Sequence, residues 1–392
     1  MRTELLQRLI SIGIKNSSLP EQKSESPKFS EPAEYCGESE NNSPAVNYFH
    51  TPNLPEFPEM SPDSGFQTAE NMLLPIVRNA GYFLQSHQGE DSLVYVPLTD
   101  FIAVGITHGQ AEKISPVYYS QIESEHREVD EILTDSLHTL REVTNSRSRA
   151  LKLSETKIAG AKVISFTDLE NYESSWFADF DIITQLTERI AKDYRPSLPL
   201  FVPAARTKLY IIFDDDPHLV DFFKTLRTAR DSDETIYPLP HTVTADGWRE
   251  WIPLPGSPLA EVLGELRGHF RKQIYDTQVK QMLTWGEFGA LKTYQPQILR
   301  SGEHVSNTFW TDTDRSGSIP DTDFITFVRE PSPHPWEENR GMKISIRSYL
   351  AREIWKNSFQ RNENAWPPRW DIVGFPDAGT LELLKAASAR EF

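Results

Sequence analysis

Cysteine, metal-spaced histidine and glycine-rich phosphate loops are what this chain does without. Cys36 stands alone, so neither an internal disulfide nor a thiolate metal cage can form, a usage that suits a reducing compartment. None of the 10 histidines falls in His-x-His or His-Glu-x-x-His spacing, which removes the common imidazole metal motifs. No Gly-x-Gly-x-x-Gly or Gly-x-x-x-x-Gly-Lys stretch is present to cradle a phosphate, and no Gly-x-Ser-x-Gly elbow presents a nucleophile. Basic charge is also in deficit. Lys and Arg number 40 against 57 Asp and Glu, a net charge of −17. A field of that sign repels phosphate backbones and anionic lipid, so nucleic acid and membrane surfaces are not expected as partners. No apolar run reaches the length of a membrane span. Glu4 and Arg8 interrupt what would be the apolar core of a signal peptide, and no small-residue cleavage site follows. The expected setting is the cytoplasm.

What is present is enough for a packed core. The 392 residues are 38% hydrophobic and 11% aromatic, with room for two domains. The mean hydropathy of −0.49 and the 28 prolines imply an unpacked portion beside it. Residues 1–15 carry Leu5, Leu6, Leu9 and Ile10 near helical spacing, a short amphipathic helix. Residues 16–66 scatter proline among Ser, Glu and Asn with few aliphatic residues. Such a stretch buries too little apolar surface to offset its ordering entropy and reads as a disordered tether. A central α+β domain is expected over 67–284 and a small, Trp-rich α+β domain over 285–392.

In the central region, Ser92–Pro97 and Phe101–Ile106 read as strands joined through Leu98-Thr-Asp100. Ile122–Val143 reads as one amphipathic helix, Ala161–Phe166 as a strand and Asp181–Lys192 as a helix. Leu200–Val202 and Leu209–Phe213 follow as strands. Asp216 is then a natural N-cap with Pro217 at the first helical position. Ile236–Val243 and Trp248–Ile252 close the region as a strand pair around Ala245-Asp246-Gly247. A long helix runs from Leu259 to Leu283.

This order resembles the YtpQ-like bacterial proteins, a family of unknown function, over about residues 67–251. The likeness rests on Leu74-Pro-Ile-Val-Arg78, on Leu93–Val104, and above all on Leu200-Phe-Val-Pro-Ala-Ala-Arg206 running into Leu209-Tyr-Ile-Ile212. The later Ile236-Tyr-Pro-Leu239 also fits. Thr207 stands where the family usually has an acidic residue, which puts an ion pair at that turn in doubt. The resemblance implies a fold and no activity.

Two acidic clusters invite a metal reading. Asp214-Asp215-Asp216 follows a strand, where carboxylates often hold magnesium; with His218 it frames a metal-assisted hydrolase. The plainer reading is a helix start, where negative charge is favoured. Asp312, Asp314, Ser316 and Asp323 occupy positions one, three, five and twelve of a stretch that resembles an EF-hand calcium loop, with Gly317 at six. Calcium or magnesium is therefore the one candidate cofactor. Pro320, the short Asp323 side chain and strand-like flanks favour a polar hairpin loop instead.

His108, His218 and His241 border strands, where surface or core roles are the ordinary expectation. Arg206 and Arg249 have the donor geometry for an anion, and Arg206 equally suits an ion pair. Trp310, Trp336, Trp355, Trp366 and Trp370 concentrate in the last third; most should fill core, and Trp370 is a candidate recognition residue. With no catalytic constellation, the leading expectation is a non-catalytic interaction or accessory protein. It would dock on another protein through Leu5, Leu6, Leu9 and Ile10, with Arg206 and Trp370 as further contacts.

Overall fold

Pro199–Ala205 and Lys208–Phe213 pair antiparallel, Leu200 opposite Ile212 and Phe201 opposite Ile211, with a bulge between Pro203 and Ala205. Nearly every residue of the two strands is buried, which explains why they read as continuous apolar runs rather than alternating ones. In this computed structural model the described residues are 46–50, 72–85, 87–88, 91–110, 113–145, 150–167, 172–194, 196–232, 234–286, 289–331 and 341–388. The amphipathic helix expected over 1–15 lies outside them.

The pair forms the centre of a seven-stranded antiparallel sheet. Its order is Val46–His50, Ala150–Ile158, Ala161–Phe166, Lys208–Phe213, Pro199–Ala205, His241–Thr244 and Gly247–Glu250. The first of these falls inside the stretch expected to be a disordered tether. Val46-Asn-Tyr-Phe-His50 instead pairs in register with Ala150–Ser154, as its β-branched and aromatic content allows. The strand expected from Ile236 shortens to His241–Thr244. Pro238 and Pro240 remove the amide donors that a longer strand needs, and Ile236 and Tyr237 instead donate to the Ala204 and Pro203 carbonyls.

A second sheet joins Leu73–Asn79, Ile102–Gln110 and Tyr95–Pro97, with Lys113–Pro116 also pairing the middle strand. Here the connection through Leu98-Thr-Asp100 turns the chain as expected. The single helix expected over Ile122–Val143 is two, Tyr119–Glu125 and Val129–Asn145. His126 breaks it with a left-handed φ of 55°, a conformation no helix interior accepts. The next helix, Phe180–Asp193, is capped by Asp179, whose Oδ1 accepts the Ile182 amide at 3.2 Å. Asp179 also takes Arg141 through two bonds of 2.6 Å.

Asp216 does not cap the following helix as expected. That helix is Leu219–Thr228 with His218 at the N-cap. The Asp216 carboxylate instead accepts the Lys162 amide from the neighbouring turn and the His218 amide, both at 2.8 Å.

The long helix Pro258–Trp285 starts on Ser257, whose Oγ accepts the Ala260 amide, with proline at the first position. Leu263, Leu266, Phe270, Ile274 and Tyr275 are buried along it. At Gly264 the strand His304–Thr311 comes so near that a Cβ would lie 2.5 Å from the His304 Cβ; only glycine permits that approach.

Beyond the helix, four strands pair in the order Gln295–Ile298, His304–Thr311, Phe324–Arg329 and Met342–Arg347. Four more pair in the order Ala290–Leu291, Ser316–Pro320, Arg369–Val373 and Phe359–Asn362. His304–Thr311 and Phe324–Arg329 run parallel, so no hairpin joins them. The chain between crosses to the other sheet through Ser316–Pro320, which corrects the polar hairpin expected there. Two hydrophobic clusters result. One spans Leu74 to Tyr294 and includes Trp366; the other gathers Trp310, Ile319, Ile325, Phe327, Ile344, Ile346, Ile372 and Leu384. The assembly is α+β.

Candidate anion-binding cleft

Three crossings bring the long helix beside the second cluster. Trp366 reaches into the first cluster, its ring 5.1 Å from that of Tyr95 and its Nε1 donating to the Thr99 carbonyl at 2.9 Å. Tyr275 donates its hydroxyl to the Pro368 carbonyl at 2.9 Å, and Gln278 its amide to that of Pro367 at 2.8 Å. Arg369, fully buried, donates to Ser318, Lys292 and Gln278. Burial pushes its guanidinium down to about 10, outweighing the opposing pull of Tyr275 and Asp371, since its hydrogen-bond partners are neutral.

Where the helix and the second cluster meet, a cleft of about 510 Å³ opens, lined by Arg271, Arg347 and Arg352 with Ser306, Thr322, Ser348, Tyr349, Asp321 and Asp323. Each arginine comes from a different element and is held by its own surroundings. Arg347 ends the strand Met342–Arg347, opposite Phe324, and its guanidinium lies 4.5 Å over that ring. Arg352 belongs to the helix Ser348–Ile354; it lies 4.4 Å over the Trp370 ring and 3.3 Å from Asp321 Oδ1. Trp370 donates its indole N–H to the same oxygen at 3.2 Å. Such cation–π seats help to orient a planar guanidinium.

The third arginine is anchored from behind. Glu250 Oε2 accepts Arg271 at 2.9 Å and the Tyr237 hydroxyl at 3.1 Å, while Oε1 accepts Arg267 at 2.5 Å. Burial works to raise the Glu250 carboxyl, but Arg271 and Arg267 outweigh it and hold it at about 2. Arg267 keeps a buried Nη2 without a hydrogen bond. Beside them His241 is 1% exposed and donates Nδ1–H to the Leu239 carbonyl at 2.8 Å. Burial drives its pKa down to about 4, although Glu250 pulls it the other way. The imidazole is a neutral core group.

The floor is set by Asp323. Its Oδ2 accepts the Ser306 amide at 2.8 Å and hydroxyl at 2.7 Å, its amide donates to Ser306 Oγ at 2.9 Å, and its carbonyl accepts the Ser348 amide at 2.8 Å. Thr322 spends its hydroxyl on the Phe324 carbonyl. Ser348 differs: 2% exposed, it carries a buried Oγ with no hydrogen-bond partner. A buried hydroxyl left so is costly unless something else meets it.

The metal candidates are not brought together. Asp314 Oδ2 accepts Lys292 at 2.6 Å and the Thr311 amide and hydroxyl at 2.7 Å. Burial opposes ionisation there, yet those bonds hold the carboxyl below its ordinary value. Asp312 lies 3.6 Å from Arg329, Ser316 begins a strand, and Asp323 belongs to the cleft. Asp214 accepts the Leu198 amide and Asp215 the Ser197 hydroxyl, both at 2.7 Å, so the acidic triplet with His218 tethers a turn. Among the described residues no three His, Cys, Asp or Glu side chains gather as a cation site.

Of the proposed contacts, Leu5, Leu6, Leu9 and Ile10 lie outside the described residues. Arg206 pairs with Glu234 at 2.6 Å, Arg249 is exposed, and Trp370 is half-buried behind the cleft. Sequence reasoning missed Arg271, Arg347, Arg352 and Ser348. They are spread over 82 positions, from 271 to 352, with no recurring spacing. Trp310 and Trp366 are buried, Trp355 and Trp370 are half-buried, and Trp336 lies outside the described residues. No helix among the described residues is long and apolar enough to cross a membrane. No family model, curated protein or solved structure matches the chain.

Proposed function

We propose that the protein is a non-catalytic cytoplasmic accessory protein that holds a partner protein by an acidic group seated in the arginine cleft. One observation carries this reading: Arg271, Arg347 and Arg352 converge from three elements on one cavity of about 510 Å³ beside the buried, unsatisfied Ser348 hydroxyl. Guanidinium groups pre-oriented on rings and carboxylates lose little freedom on binding, which favours recognition of planar or multidentate anions. The cavity is sized for one or two residues of a chain or a small molecule. The overall charge of −17 opposes polyanions at long range and leaves a compact acidic group as the favoured occupant. The segment containing Leu5, Leu6, Leu9 and Ile10 is the proposed second contact, and YtpQ-like kinship over about 67–251 is proposed for the fold.

The test is affinity purification from the native cell with wild type, with Arg347→Gln plus Arg352→Gln, and with residues 1–45 deleted. A partner retained by wild type and lost from the double variant supports the reading, provided the variant's unfolding midpoint is unchanged. An identical set of partners across wild type and the double variant counts against it.

A further inference from the structure

We propose that Arg78, Arg206 and Tyr172 form a second anion site, whose ligand is the carboxylate of a small acid. None of these residues lines the arginine cleft, and the site stands whether or not that cleft holds a partner. Two observations carry it: donors brought together from three segments of the chain, and no acceptor supplied to meet them.

Hydrogen bonds on neighbouring residues set the three side chains around one place. Arg78 stands on the strand Leu73–Asn79, where Asn79 donates its side-chain amide to the Ile236 carbonyl at 2.8 Å. Arg206 sits in the turn between Pro199–Ala205 and Lys208–Phe213. Its amide donates to the Glu234 carbonyl at 2.9 Å, and its carbonyl accepts the Ser174 hydroxyl at 2.8 Å. Tyr172 precedes the short helical segment Glu173–Ala178, which Ser175 ties to the strand of Arg78 through the Pro75 carbonyl at 2.6 Å. The charge of Arg206 acts on Arg78, and that of Arg78 on the Tyr172 hydroxyl, as groups close in space do.

Each of the three presents a donor that the protein leaves unmet. Tyr172 is 4% exposed, and its hydroxyl has no hydrogen-bond partner. The Arg206 Nε is likewise buried and unmet, while its Nη2 donates to Glu234 at 2.6 Å. Arg78 donates Nη1 to the carbonyl of Val77, its own neighbour, at 2.7 Å and lies 5.8 Å over the Tyr82 ring. No carboxylate among the described residues pairs with it. Burial lowers its pKa; Tyr82 and Tyr172 oppose this, and Arg206 adds to it. A half-buried cation beside a like charge is costly unless an anion meets it. Glu234 offsets Arg206, so Arg78 is left with one unit of positive charge. A carboxylate supplies one negative charge and only acceptors, which matches both the charge and the donors. A phosphate monoester, at about −1.5 to −2 near neutral pH, exceeds that charge. The enclosed hydroxyl favours a small acid over an acidic side chain carried on a polypeptide.

The experiment follows the arginine Nε–Hε resonances of the full chain by NMR during titration with acetate, inorganic phosphate and the blocked side chain N-acetylaspartate α-methylamide. The chain carries Arg347→Gln and Arg352→Gln, which remove two of the cleft's three arginines, and the resonance missing after Arg78→Gln identifies Arg78. The expected result is a saturable shift of that resonance with acetate, at least several-fold tighter than with phosphate or the blocked aspartate. Tyr172→Phe removes one donor and should weaken acetate by about threefold or more, while the thermal midpoint without anion stays level or rises. A midpoint lowered by several degrees in that variant shows that the hydroxyl serves the fold and overturns the site. Phosphate binding as tightly as acetate overturns the carboxylate, and tighter binding of the blocked aspartate overturns the small acid. No shift of the Arg78 resonance with any anion overturns the proposal and leaves the arginine cleft untouched.

Discussion

Lowering the pH from 6.5 to 4.5 should destabilise the fold through His241 before any buried carboxylate contributes. The imidazole is enclosed, its ring 5.4 Å from Phe177 edge-on and 6.0 Å from Tyr237. Its pKa falls to about 4 in the folded chain, against about 6.5 when unfolded. Between those values the unfolded chain binds a proton that the folded chain refuses. Stability is therefore full above 6.5 and declines as the pH drops, levelling below about 4. At 1.36 kcal/mol for each pKa unit the total is about 3 kcal/mol, a large part of a marginal stability. Glu250 acts in the same direction but lower. Its folded value of about 2 makes its contribution present above 4.5 and lost only as the pH falls through about 2. The window from 6.5 to 4.5 thus separates the histidines from Glu250; burial also lowers the pKa of His269, which acts in the same direction there, so the variant comparison assigns the share of His241. Urea unfolding followed by tryptophan fluorescence is suited to it, since Trp248 stacks on Phe177 at 3.9 Å beside the imidazole. Comparing wild type with His241→Phe, which keeps a ring in the site, the variant should lose up to one proton's worth of slope in this window. Equal slopes would refute the reasoning.

Glu250→Gln leaves Arg267 and Arg271 without their shared carboxylate and should cost about 3 kcal/mol, read as a lower urea midpoint at pH 7. Arg141→Ala strands the Asp179 carboxylate, which is 1% exposed, and should cost a similar amount, about 3 kcal/mol, by the same assay. Gly317→Ala would place a Cβ 2.1 Å from the Ala290 carbonyl oxygen, so it should lower the thermal midpoint by several degrees; an unchanged midpoint would mean that Ala290–Leu291 can move aside. Asp314→Asn should weaken the fold equally in calcium and in chelator, since its carboxylate serves Lys292 and Thr311; a loss confined to calcium would restore the cation loop.

Legibility followed sequence distance. Leu200–Phe213 and the long helix were readable because their burial patterns repeat within a few residues. The break at His126 was not, since a left-handed residue there is decided by how the two flanking helices seat their apolar faces. The loop from Asp312 to Asp323 misled for a related reason. Its spacing matches a cation loop, but Ser316–Pro320 in the middle finds its partner at Arg369–Val373, some fifty positions onward, and the carboxylates turn to Lys292, Arg329 and Ser306.

The sequence by itself determined the class of the fold, because apolar periodicity commits each segment to helix or strand wherever it packs. It also determined the acidic field, which is a sum of charges and independent of conformation. Only the tertiary structure decided which charges face each other. Arg271, Arg347 and Arg352 share a cleft because a helix, a strand end and a second helix meet there, and Coulomb interaction depends on distance in space rather than along the chain.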